Sequence, residues 1–109
     1  MADEIDADTL QRLLASDEDV VVVDVRPAVT FATGHIPGSE NVPFERLLDE
    51  LDTVDWGERV VFVCPYGERS RQAAELVGAY EGLEPGTEVY NLTDGLLGWD
   101  GPLVTADTS

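Results

Sequence analysis

The chain has 109 residues, 43% of them apolar, which is enough for one hydrophobic core and not for two. It carries 23 acidic residues against six basic ones, a net charge of -17 that repels phosphate backbones and anionic lipid and so excludes nucleic acid and a membrane surface as partners. No apolar run approaches the roughly 20 residues that span a bilayer, and the opening MADEIDADTL has acids where a secretory leader has bases, so a cytoplasmic protein is expected.

Behind Asp6 and Asp8, two residues suited to capping, Leu10, Leu13 and Leu14 fall at helical spacing and predict a short amphipathic helix over 6–15. Residues 16–19 form a turn. Val20 to Val23 is an unbroken β-branched run, the mark of a strand buried on both faces, and Asp24 and Arg26 follow at its carboxyl end. Residues 28–33 read as one or two helical turns ended by Gly34. Gly34-His35-Ile36-Pro37-Gly38 is predicted irregular, because Pro lacks a donor and Gly permits positive φ. Residues 41–43 add a short extended piece. Residues 44–51 predict a second helix with Leu47, Leu48 and Leu51 on one face.

Arg59 to Val63 is the second buried strand and runs straight into Cys64. After a short loop, Ser70 is expected to cap a helix reaching about Tyr80, with Ala73, Ala74, Leu76 and Val77 facing inward. A turn over 82–86 leads to a third strand, Glu88 to Leu92, then a loop with a short helix over 93–99 and a partly frayed tail over 100–109. Strands alternating with helices predict an α/β fold, a mainly parallel sheet with helices on both faces, in one domain over 1–109 with its core at about 6–102 and a tail over 103–109. Ligands of such sheets sit outside the carboxyl ends of the strands, which places Asp24, Arg26 and Cys64 on one working edge.

Cys64 is the only cysteine, so no disulfide forms within the chain, and with a single His no zinc site is expected from these residues. The stretch Cys64-Pro65-Tyr66-Gly67-Glu68-Arg69-Ser70 leaves a strand and enters a helix, whose first turn offers unpaired N–H groups and partial positive charge. A thiol held there is biased toward thiolate, and Gly67 lets the loop curl so that successive N–H groups point at one anion. Arg69 and Arg71, two of only six bases, lie here. Two readings of the residues stay open: a nucleophilic thiol, or a small buried apolar side chain beside a helix-capping serine. A Cys-Pro-Tyr-Cys dithiol is excluded because Gly67 stands at the second cysteine, and a tyrosine-phosphatase signature because Val63 and Ser70 occupy its His and Arg places.

Val23-Asp24-Val25-Arg26, Phe31, Gly34-His35-Ile36-Pro37-Gly38 and Asn41-Val42-Pro43 resemble the front half of a rhodanese-like domain. The Cys64 to Ser70 stretch is similar to that family's Cys-x-x-Gly-x-Arg-Ser active loop, and Leu92-Thr93-Asp94-Gly95 with Trp99 to its closing segment, with Asp94 at a usual Gly. The resemblance covers about 6–102. It implies a three-layer fold with a five-stranded parallel sheet, and a Cys64 that carries sulfane sulfur as a persulfide held by the N–H groups of Tyr66 to Ser70, with no metal or organic cofactor. Asp24 and Arg26 are then supporting residues that anchor the loop or pair with Arg69, and His35 is a packing residue rather than a base. Trp56 and Trp99 are core or lid aromatics.

The resemblance further implies a sulfurtransferase whose donor is thiosulfate or a persulfide-bearing protein or small molecule, and whose acceptor is cyanide, a thiol or a carrier protein. Glu68 among the variable loop positions Pro65, Tyr66 and Glu68 is expected to repel the thiosulfate dianion, with Arg69 partly offsetting it. The alternatives are a non-catalytic binding or redox-sensing module and, less favoured by the short loop, oxyanion chemistry of the arsenate-reductase kind.

The acids are spread along the chain and Lys is absent, a composition expected of a halophilic source, where salt screens self-repulsion. The melting temperature is therefore expected to rise steeply between dilute buffer and molar salt, and a calorimetric scan showing no salt dependence would overturn this.

Overall fold

The structure, a computed structural model, describes residues 3–16 and 19–105. Its centre is a five-stranded, wholly parallel sheet in the order β1 (Asp3–Ile5), β5 (Glu88–Leu92), β4 (Arg59–Val63), β2 (Val21–Asp24), β3 (Glu40–Asn41). The second and third predicted strands match residue for residue, and the first is displaced by one. In the middle strand side chains alternate between faces: Val60 and Phe62 enter one core cluster, Val61 and Val63 the other. Helix α1 (Ala7–Ala15) covers one face through Leu10, while α3 (Leu47–Glu50) and α4 (Glu68–Gly78) cover the other through Leu47, Ala73, Ala74 and Val77. The small residues of α4 let its backbone lie close to the sheet.

Asp6 caps α1 by accepting from Thr9 N at 2.8 Å, and hydrogen bonding from the Thr9 side chain and then this N–H holds its carboxyl below the usual range. Helix α2 (Ala28–Thr33) is also where the sequence put it. Trp56 and Trp99 are both core residues, with their indole N–H groups donating to Leu51 O and Pro102 O.

Several expectations are corrected. Asp3–Ile5, where no element was predicted, is the edge strand β1; three residues, two of them exposed, carry no readable period. Residues 44–51 form a 3₁₀ turn (Phe44–Arg46) and a single α-turn rather than one helix, and Leu48 is exposed. Leu76 is also exposed, beyond the arc that α4 turns to the sheet. The tail is pinned where fraying was expected: His35 and Val104 exchange backbone hydrogen bonds of 2.8 Å in each direction. Residues 17–18 of the predicted turn and 106–109 of the tail lie outside the described residues.

At the carboxyl end of β2 the one buried carboxylate among the described residues, Asp24, meets Arg26 in a forked pair of 2.9 Å to Oδ1 and 2.7 Å to Oδ2. Arg26 Nη2 also donates to Gly34 O at 2.7 Å, which ties the strand end to the bend before His35. Asp24 thus pairs with Arg26 and not with Arg69. Removing one partner of such a pair strands a buried charge at a cost of about 3–5 kcal/mol. Arg26→Ala is expected to lose that much in urea unfolding followed by tryptophan fluorescence, and a loss below about 1 kcal/mol would contradict this account of the pair.

Candidate active site

Strand β4 delivers Cys64 to the sheet's carboxyl edge, and α4 begins four residues later. The chain turns between them at Gly67, whose φ of 86° is left-handed and which serves as the N-cap of α4. A Cβ there would collide with Thr93 O and lie 3.2 Å from Leu92 O, so glycine is required twice over. Ser70, expected as the cap, is the third helical residue; α4 starts two residues earlier and turns the Ser70 side chain into the interior.

Cys64 is 2% exposed. The amide N–H groups of Gly67 and Ser70 donate to its Sγ at 3.1 and 3.3 Å, and the thiol lies 3.2 Å from Ser70 Oγ, to which it donates. Ser70 Oγ in turn donates a hydrogen bond to Asn91 Oδ1. The first-turn amides, the orphan donors of any helix, are thus aimed at a sulfur atom rather than at water.

A cavity of about 290 Å³ opens onto Cys64, lined among others by Arg26, Thr30, Phe44, Glu45 and Arg69. The Arg69 guanidinium carbon lies 5.0 Å above the centre of the Phe44 ring, and no carboxylate pairs with it among the described residues. Arg71 points elsewhere, 3.7 Å from Glu4. Tyr66 and Glu68 are exposed, and the acid in the cavity wall is Glu45, which the sequence did not single out. A larger cavity of about 640 Å³ lies at the opposite, amino ends of β4 and β5, with no share in Cys64.

His35 stacks on Phe31 with ring centroids 3.8 Å apart, and its Nδ1 donates to Phe31 O at 2.9 Å. These contacts occupy it as a packing residue. Gly95, with φ 65°, supplies the left-handed turn that Asp94 does not, so the chain is not strained by an acid at that place. Among the described residues no three His, Cys, Asp or Glu side chains come together as metal ligands, and no helix is long and apolar enough to cross a membrane.

Asn91, like Glu45, is a site residue that the sequence did not single out. It is fully buried within the run Val89-Tyr90-Asn91-Leu92, and a lone Asn inside an apolar strand is the signal that pointed to it. Next to it on β5, the Tyr90 hydroxyl donates to Glu88, a bond that raises the phenol above its ordinary value.

The model of the rhodanese-like domain family matches residues 6–101. A sulfurtransferase of Allochromatium vinosum is 33% identical over 99 residues, covering 91% of this chain and 89% of the relative. The thiosulfate sulfurtransferase GlpE of Pseudoalteromonas translucida is 31% identical over 94 residues, covering 86% and 84%. The crystal structure of a rhodanese-like domain protein from Staphylococcus aureus superimposes with a TM-score of 0.80 at 29% identity, over 94% of this chain and 97% of that one. With its parallel sheet, its loop-to-helix cysteine and these likenesses, the chain belongs to the family of rhodanese-like domains.

Proposed function

We propose that the protein is a sulfurtransferase that moves sulfane sulfur through a persulfide on Cys64. The observation that carries this reading is the pair of amides, Gly67 N and Ser70 N, converging on Sγ at the head of α4. In thiosulfate the Cys64 thiolate attacks the outer sulfur; the S–S bond of the donor breaks and its electron pair leaves on sulfite. The product is a Cys64 persulfide whose charge sits on the outer sulfur. The amides of Glu68 and Arg69, also in the first turn of α4, are the further donors available to it. A nucleophile such as cyanide then takes that sulfur as thiocyanate and leaves the Cys64 thiolate. No step requires a metal or an organic cofactor.

Donor preference follows from the cavity wall. Arg69 favours an anion and Glu45 opposes one, so thiosulfate is a tolerated donor and a persulfide of lower charge a better one. Glu45 lines the cavity while Glu68 is exposed outside that lining, so the larger repulsion is assigned to Glu45 and a smaller one to Glu68.

Intact mass after incubation with thiosulfate tests the chemistry. One added sulfur atom, removed by cyanide and absent from Cys64→Ser, is the expected result. No adduct from thiosulfate or from a glutathione persulfide would instead favour a binding or sensing module. In steady-state assays Glu45→Gln is expected to raise kcat/KM for thiosulfate by about fivefold at low ionic strength, which is about 1 kcal/mol of relieved repulsion. The gain should shrink in molar salt and be smaller for Glu68→Gln. Equal effects of the two variants would place the repelling charge elsewhere.

A further inference from the structure

Asn91 makes three hydrogen bonds that leave its side-chain amide a single orientation. Its Nδ2 donates to Gly67 O at 3.1 Å and to Glu4 Oε1 at 3.0 Å, and a backbone carbonyl and an ionised carboxylate can only accept. Oδ1 therefore faces Ser70, and the one hydrogen of the Ser70 hydroxyl is donated to it. Toward Cys64 Sγ, Ser70 Oγ then has lone pairs alone. It accepts the thiol S–H at 3.2 Å but has no hydrogen to offer a thiolate.

We propose that Asn91 is a positioning residue that fixes the direction of the Ser70 hydroxyl and through it holds Cys64 toward the thiol, against the two backbone amides that favour the thiolate. The inference concerns the resting thiol and rests on the sulfur-transfer reading only for its use. Once Sγ is bonded to an outer sulfur its charge has moved outward, and a hydroxyl pointing away from Sγ no longer opposes it. The same amide bond to Gly67 O also holds the turn that aims Gly67 N at the sulfur.

The charged groups around Cys64 are Arg26 with its partner Asp24, Glu45 and Arg69 at the cavity wall, Glu68 in the loop, and Glu4 with its partner Arg71 behind Asn91. The variants below alter none of these charges. Asn91→Ala also frees Gly67 O, and a Gly67 amide turned from the sulfur would raise the midpoint, so a lowered midpoint reports the hydroxyl.

The experiment is the pH profile of iodoacetamide alkylation of the full chain, whose single cysteine makes the mass unambiguous. Asn91→Ala frees the Ser70 hydrogen for sulfur. The rate midpoint is expected to move to lower pH, with alkylation near neutrality about tenfold faster, the worth of one charge-assisted hydrogen bond. Ser70→Ala is expected to leave the midpoint in place or lower it when Asn91 is present, and to raise it in the Asn91→Ala background. That change of sign is something a merely structural role would not produce. An unmoved midpoint in Asn91→Ala overturns the proposal. So does a midpoint raised by Ser70→Ala alone, which removes a single oxygen and decides the matter if Asn91→Ala does not fold. Because alkylation needs no sulfur donor, either failure is separate from a failure of sulfur transfer.

Discussion

Two stretches of bare backbone must touch for the sulfur of Cys64 to lie inside the head of α4. The loop after β4 and the segment after β5 cross with no side chains between them: Leu96 N donates to Cys64 O at 2.8 Å, and Leu97 N to Pro65 O at 3.2 Å. Glycine stands on each side of the crossing. A Cβ on Gly67 would run into Thr93 O, and one on Gly95 would strike Pro65 O and reach within 2.7 Å of Cys64 O. Both residues also hold positive φ, so steric room and backbone conformation demand the same residue type. Remove the crossing and the carbonyls of Cys64 and Pro65 lose their partners, and the amides that surround the sulfur are no longer aimed.

The crossing lets a chain of charge -17 present to the Cys64 sulfur donors that depend on no side-chain charge. The donors that reach the Cys64 sulfur are backbone dipoles, which carry no net charge, while Arg69 and Glu45 act in opposite senses in the cavity wall. Asp24, the carboxylate that enters the interior near the site, is neutralised by a forked guanidinium and by the Arg26 amide at 3.0 Å. Arg69 keeps its charge available by lying on the Phe44 ring instead of on an acid. The surface acids can then vary with the salt of the surroundings without altering the sulfur's immediate partners.

What was legible in the sequence follows the strength of the local signal. Val21–Asp24 and Arg59–Val63 are buried on both faces and read as continuous apolar runs, so the working edge with Asp24, Arg26 and Cys64 could be placed before any coordinates. Edge strand β1 was not legible, because its pairing with β5 is a tertiary fact and its own residues are two acids and an isoleucine. That omission hid more than a strand: β1 is what carries Glu4 to Asn91. Ser70 misled for a related reason. A serine at a loop-to-helix boundary has the chemistry of a cap, and only the position of Gly67 in the left-handed region shows that the cap lies three residues earlier. Leu48 and Leu76 failed because a helical period identifies a stripe but not its width, and both sit just outside the arc that the sheet covers.

The size of the amide ring bears on what it is built to hold. Two donors, Gly67 N and Ser70 N, already reach Sγ itself at 3.1 and 3.3 Å, so the loop is drawn tight around the cysteine sulfur. A tetrahedral oxyanion bonded to that sulfur spreads its charge over oxygens on a wider sphere, and amides committed this close to Sγ cannot also encircle them without the loop opening. A single outer sulfur extends the charge by one bond along one direction, and the first turn of α4 holds two further amides, those of Glu68 and Arg69. The tight turn at Gly67 and the short span from Cys64 to α4 are therefore one constraint seen twice, and it is a constraint that suits a monatomic anion better than a polyatomic one.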